Sequence, residues 1–207
     1  MKFLSVSAAL SLLSLSAQAQ LRVSPLAPSA VPATLKRSGR VVQALRYTDR
    51  TGTYTVLATE IAPRPDPLRH EMEEDQRADL YAYQYPAAGT VPTWQVHDFV
   101  GECSLDLEAR FLPKSLTATD LDQDGTAEVW LVYRTTCRGD VSPSTQKIIM
   151  YEGARKYAVR GTSRVTLGGS SDGGTYTLDA ALQAAPAAFR QHAVQLWQQH
   201  RDERMGN

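Results

Sequence analysis

The chain has 207 residues, enough for one domain with a single buried core, and its Lys plus Arg equal its Asp plus Glu at 22 each. A zero balance supplies no long-range field to gather nucleic acid or an anionic membrane, so neither is expected as a partner. After the first twenty residues no run reaches the roughly 20 apolar residues that a membrane span requires.

Met1-Lys2 followed by the Leu, Ala, Val and Ser stretch Phe3 to Leu15 matches the n- and h-regions of a secretory signal. Ala17-Gln18-Ala19 fits the A-x-A cleavage pattern, which makes 1–19 a signal peptide cut before Gln20. The h-region is too short for a membrane anchor. A periplasmic or secreted protein is the expectation. From Gln20 to Ser38, Pro25, Pro28 and Pro32 stand among Ser, Ala and Leu without a sustained period, so 20–38 reads as a flexible leader and 39–207 as a single β-rich domain.

Arg40 to Tyr47 and Thr53 to Ile61 are rich in Val, Tyr, Thr and Ile around the turn-like Asp49-Arg50-Thr51-Gly52, and they predict a hairpin. Ala62 to Asp75, with its prolines and acidic cluster, reads as an exposed loop. Strand composition returns in Leu80 to Tyr85, Thr93 to Val100, Leu105 to Phe111, Leu116 to Thr119, Glu128 to Thr136, Gln146 to Tyr151 and Lys156 to Val159. Gly168 to Gly174 reads as a floppy turn before a last short strand at Thr175 to Leu178. The tail changes period: Phe189, Ala193, Leu196, Trp197 and His200 share one face of a helix over about 186–201, with Pro186 suited to its first position. The fold class is therefore mainly β, an antiparallel meander or propeller-like sheet with one C-terminal α-helix. No internal repeat supports a closed propeller.

Cys103 and Cys137 are the two cysteines, and export favours a disulfide between them. The pairing conflicts with a simple meander. If Leu105 to Phe111, Leu116 to Thr119 and Glu128 to Thr136 were consecutive antiparallel neighbours, the cysteines would lie at opposite ends of the sheet, beyond the Cα limit of about 7 Å.

One segment carries chemistry. Asp120-Leu121-Asp122-Gln123-Asp124-Gly125-Thr126-Ala127-Glu128 sets oxygen ligands at places one, three, five and nine and glycine at six. Calcium takes about six to eight oxygens, which alternating Asp side chains on a tight bend can supply; the Thr126 carbonyl would add one, and Glu128 would bind directly or through water. An EF-hand also requires Glu at the twelfth place, where this chain has Leu131, and helical flanks, where it has strand composition. The segment resembles the calcium loop of FG-GAP and related propeller repeats, in one copy. A metal-free Asp-rich turn that caps its own amides is the alternative.

A longer stretch resembles a family of small exported bacterial proteins labelled surface polysaccharide biosynthesis proteins. It comprises Thr119 to Asp122, Glu128 to Tyr133, Gly139 to Pro143, Lys147 to Gly153, Lys156 to Ala158 and Arg160-Gly161. The resemblance implies an envelope protein, with a surface glycan or an envelope protein as partner, and carries no catalytic residues with it.

Enzymatic signals are weak. His70-Glu71-Met72-Glu73-Glu74 lacks the second His of a zinc helix, Arg138-Gly139-Asp140 reads as a turn, and His97 beside Asp98 is the best of four histidines as a base. Three readings remain open: an exported calcium-binding β domain with a non-enzymatic binding or envelope-organising role, a glycan-active enzyme, and a metal-free structural domain.

Overall fold

The computed structural model describes residues 20–67 and 75–204. The signal-peptide reading of 1–19, the His70–Glu74 segment and residues 68–74 of the expected 62–75 loop therefore lie outside the described residues, while 62–65, expected as loop, are strand.

Two open antiparallel sheets make the body. Strands β1 (Arg22–Pro25), β2 (Arg40–Asp49), β3 (Gly52–Pro65), β4 (Gln76–Pro86) and β5 (Trp94–Cys103) follow one another as a meander. The second sheet is built from β6 (Asp106–Phe111), β7 (Thr117–Thr119), β8 (Glu128–Arg138), β9 (Thr145–Glu152) and β10 (Arg155–Thr162). A two-stranded hairpin, β11 (Arg164–Leu167) with β12 (Ser170–Gly173), precedes β13 (Tyr176–Leu178), which pairs with the outer edge of β10. The chain closes with α1 (Ala180–Gln183) and α2 (Ala187–His200). The mainly β, antiparallel architecture with a C-terminal helix is the expected one, in its meander form and without barrel closure.

Alternation on each strand assigns the layers. Leu45, Tyr47, Val56, Ala58, Leu80, Ala82, Trp94 and Val96 of the first sheet meet Phe111, Val129, Leu131, Tyr133, Ile149, Tyr151 and Ala158 of the second in one core. The other face of the second sheet presents Trp130, Val132, Ile148, Met150, Tyr157 and Val159 to Phe189, Ala193, Leu196 and Trp197 of α2. That double burial explains why Val129-Trp130-Leu131-Val132-Tyr133 is apolar without interruption. Each large side chain so buried stabilises by about 1.5–3 kcal/mol. Arg134, itself buried, caps the C-terminus of α2 by donating to the carbonyls of His200, Arg201 and Asp202.

The 20–38 segment departs from its expected role as a flexible leader. It forms β1, a short 3₁₀ turn at Pro28–Ala30, and a cover in which Val31 and Leu35 are buried against Val41, Leu57, Tyr83 and Tyr85. The Ser38 amide donates to the Tyr83 hydroxyl at 3.0 Å, and the Tyr85 hydroxyl donates to the Lys36 carbonyl. The contacts come from scattered residues and main-chain groups, which leave no period in the sequence.

The disulfide forms, with a Cα separation of 5.8 Å, and the simple meander gives way. Strands β6 and β7 lie end to end along the same edge of β8: Asp106 opposes Arg138 and Phe111 opposes Tyr133, while Thr117 opposes Trp130 and Thr119 opposes Glu128. Residues 112–116 connect the two, with Leu112, Ser115 and Leu116 buried and the Leu112 amide and Ser115 hydroxyl donating to the Val132 carbonyl. Because β6 runs directly antiparallel to the far end of β8, Cys103 arrives beside Cys137.

Candidate functional site

The Asp-rich segment is the connection between β7 and β8, and the pairing of Thr119 with Glu128 closes its base. Gly125 has φ +83, and a Cβ there would stand 2.9 Å from the Arg50 side chain, so both conformation and space select glycine. Local bonds tether the side chains to the loop's own amides. The Thr126 amide donates to Asp124 Oδ1 at 2.6 Å, the Asp124 amide to Asp122 Oδ1 at 3.3 Å, and the Gly125 amide to Asp120 Oδ1 at 3.4 Å. Asp120, Asp122 and Asp124 thus bring carboxylate oxygens within 4.8 Å of one another.

Glu128 lies beneath them, fully buried at the first position of β8. Its carboxylate accepts from Thr119 Oγ1 at 2.6 Å and from the Leu121 amide at 3.0 Å. A second acidic group shares Asp122: Asp122, Glu128 and Glu152 also hold carboxylate oxygens within 4.8 Å. Glu152 ends β9 directly opposite Glu128. Sequence reasoning missed it, because only the β8–β9 register brings it to the loop.

The charges are not balanced locally. Burial pushes the Glu128 carboxyl up to about 7, with Asp122 and Asp120 adding to the rise against the Thr119 and Leu121 hydrogen bonds. Burial raises Glu152 as well, and Asp122 and Asp124 add to it. Arg50 reaches Asp124 Oδ2 at 3.4 Å but is 57% exposed, and Arg155, near Glu152, is likewise exposed.

A brace from the other sheet holds the loop. At the β2–β3 turn, buried Asp49 accepts the Ala127 amide at 2.9 Å, the Arg50 amide donates to the Gly125 carbonyl at 3.0 Å, and Arg50 Nε donates to Thr126 Oγ1 at 3.1 Å. The hairpin turn predicted at Asp49 to Gly52 is therefore also the arm that orders the acidic bend. Thr126, expected to offer its carbonyl, is buried within this brace.

The catalytic candidates disperse. His97 points to the outer face, where Nε2 meets Asp79 Oδ1 at 2.7 Å and the ring stacks on Tyr81 at 4.3 Å. Asp98 points to the inner face and accepts from the Tyr133 hydroxyl at 2.9 Å and from Lys147. The two do not form a pair. Burial depresses the pKa of His192 and of His200 on α2, and among the described residues no histidine hydrogen-bonds a serine, threonine or cysteine. Arg138-Gly139-Asp140 is a turn in which Asp140 accepts the Ser142 amide at 2.9 Å.

No family model, no curated protein and no solved structure matches this chain.

Proposed function

We propose that this protein is an exported calcium-binding β domain with a non-enzymatic binding or envelope-organising role. Asp120, Asp122, Asp124, Glu128 and the Thr126 carbonyl are its ligands, joined by Glu152. The observation that carries the reading is the environment of Glu128: a fully buried carboxylate faced by other carboxylates instead of a cation. Burying such a group is costly unless it is paired, and a divalent ion between Asp122, Glu128 and Glu152 is the pairing their chemistry fits. The all-oxygen donor set suits a hard cation. The Asp49 and Arg50 brace supports pre-organisation, which lowers the ordering cost on binding. The signal-like first nineteen residues support export, and an affinity of roughly 10⁻⁴ to 10⁻³ M would match extracellular calcium levels.

A metal-free reading has its own support, since the loop carboxylates cap three of the loop's amides. Thermal melts of the mature protein across a calcium series, with magnesium in parallel, separate the two. Calcium raises the midpoint in proportion to the logarithm of its concentration if it binds the folded state; a midpoint indifferent to calcium up to tens of millimolar leaves only the structural turn.

A further inference from the structure

Away from the acidic loop, the inner face of the second sheet gathers positive charge at the open side of the sandwich. The first sheet ends at β5, whose Trp94 stacks on Tyr151 at 4.5 Å and whose Asp98 bonds Lys147, both residues of β9. Strand β10 lies one strand farther out. On its inward-facing positions Ala158 is buried, whereas Lys156 and Arg160 are exposed. Arg160 stands directly opposite Lys147 in the β9–β10 register, at a Cβ spacing of about 5 Å where like charges destabilise a sheet. Lys156 joins them two positions beyond Ala158. Burial lowers the Lys156 pKa, and the repulsion of Arg160 and Lys147 adds to that, so the three cations share one field.

Of the three, Lys147 is ion-paired with Asp98 at 2.5 Å. Asp98 already takes the Tyr133 hydroxyl and the Lys147 ammonium, and Asp179, which also acts on Lys156, accepts the Leu182 amide as the N-cap of α1. Among the described residues neither Lys156 nor Arg160 has an ion pair. Arg160 held opposite Lys147, with Lys156 four residues along the same face and opposite Tyr151, forms a basic rim in which the guanidinium fork offers an anion two parallel donors and the Lys156 ammonium adds a further charge.

We propose that this rim, formed by Lys147, Lys156 and Arg160 beside β5, binds an oxyanion group of a ligand, either a sugar carboxylate or a phosphoryl group. The reading is independent of calcium. The test titrates the mature full chain separately with glucuronate and inorganic phosphate at ionic strength fixed with chloride, following backbone amide shifts and the melting midpoint. Saturable shifts on β9 and β10 with either anion support the site, and the anion that binds more tightly identifies the source. Arg160→Gln and Lys156→Gln are each expected to weaken binding about tenfold, as loss of a charge-assisted bond does, while Arg46→Gln leaves it unchanged. Removing Arg160 also relieves repulsion, so the ligand-free R160Q midpoint holds or rises, which separates lost binding from lost folding. The proposal is overturned if neither anion moves the β9–β10 amides beyond the chloride control, if both variants bind like the parent, or if ligand-free R160Q melts several degrees lower.

Discussion

Two buried glutamates of this sandwich meet opposite surroundings. Glu203, in the C-terminal tail, accepts from Arg138 Nη2 at 2.9 Å, from Ser144 Oγ at 2.8 Å, from the Ser144 amide and from Ser163 Oγ. Burial alone would raise its carboxyl, but these donors outweigh it and hold it down near about 2. Asp79 follows the same pattern with Arg77, His97 and Arg64. Glu128 is as deeply buried, and burial, with Asp122 and Asp120 adding to it, outweighs its Thr119 and Leu121 donors and pushes it up to about 7. A carboxylate with its donors in place fastens structure; one facing other carboxylates holds an unmet demand for positive charge. Burial itself does not distinguish them.

The largest expected contrast is between Glu203→Gln and Glu128→Gln in chelator. Removing the Glu203 charge gives Arg138, Ser144 and Ser163 a single amide oxygen in place of the carboxylate, and a cost of about 3–5 kcal/mol is expected in urea unfolding. Glu128→Gln removes an uncompensated charge and should leave the metal-free domain equally stable or more so. Equal losses in the two variants would erase the distinction.

pH sharpens the same contrast. The folded-state pKa of Glu128 lies above its ordinary value, so its stabilising contribution is fully present below about 4.5 and is lost as pH rises through about 7. Glu203 behaves oppositely: its contribution is present above about 4.5 and lost as pH falls toward about 2, so it is constant from pH 5 to 8. Calcium-free protein should therefore lose up to about 3 kcal/mol between pH 5 and pH 8. E128Q should flatten that slope. A parent protein whose stability is level or rising over this interval contradicts the assignment.

Calcium should flatten the slope. At about 10 mM, with the affinity proposed, it adds roughly 1–3 kcal/mol at pH 8 and less at pH 5, where protons compete for Glu128. Glu152→Gln, which leaves the loop sequence intact, should weaken calcium binding about tenfold by calorimetry, the loss expected for one charged ligand. An unchanged constant would confine the site to the bend.

Much of this architecture was legible in the chain. Strand composition marked β2 to β5 and β8 to β10, which are rich in β-branched and aromatic residues, and the i, i+4, i+7, i+8 spacing of Phe189, Ala193, Leu196 and Trp197 marked α2, which buries a regular face. The cover over 20–38 was not legible, although Tyr81, Tyr83 and Tyr85 opposite Leu80 and Ala82 show that β4 is apolar on both sides and requires one. Gly168 to Gly174 read as a floppy turn, yet Gly168 and Gly169, at φ +58 and +86, fit the turn of the β11–β12 hairpin, whose exposed residues carry no hydrophobic alternation. At the candidate site the sequence displayed the four acidic residues of one segment. It could not display Glu152, Asp49 or Arg50, which reach the loop through register and sheet packing.

Arg50 gives the smallest effect and the finest discrimination. Its side chain is a fixed cation on Asp124, competing with any ion, while its main chain and Asp49 supply the brace. Arg50→Ala deletes the competitor and the bond to Thr126 Oγ1 but keeps the two main-chain contacts of the brace. An exposed ion pair of this kind is worth about 0.2–1 kcal/mol, so calcium affinity should rise by about two- to fivefold while metal-free stability falls by no more than about 1 kcal/mol. Should affinity fall instead, the guanidinium is shaping the bend through Thr126 more than it opposes the ion, and the demand for positive charge is already partly met by the protein itself.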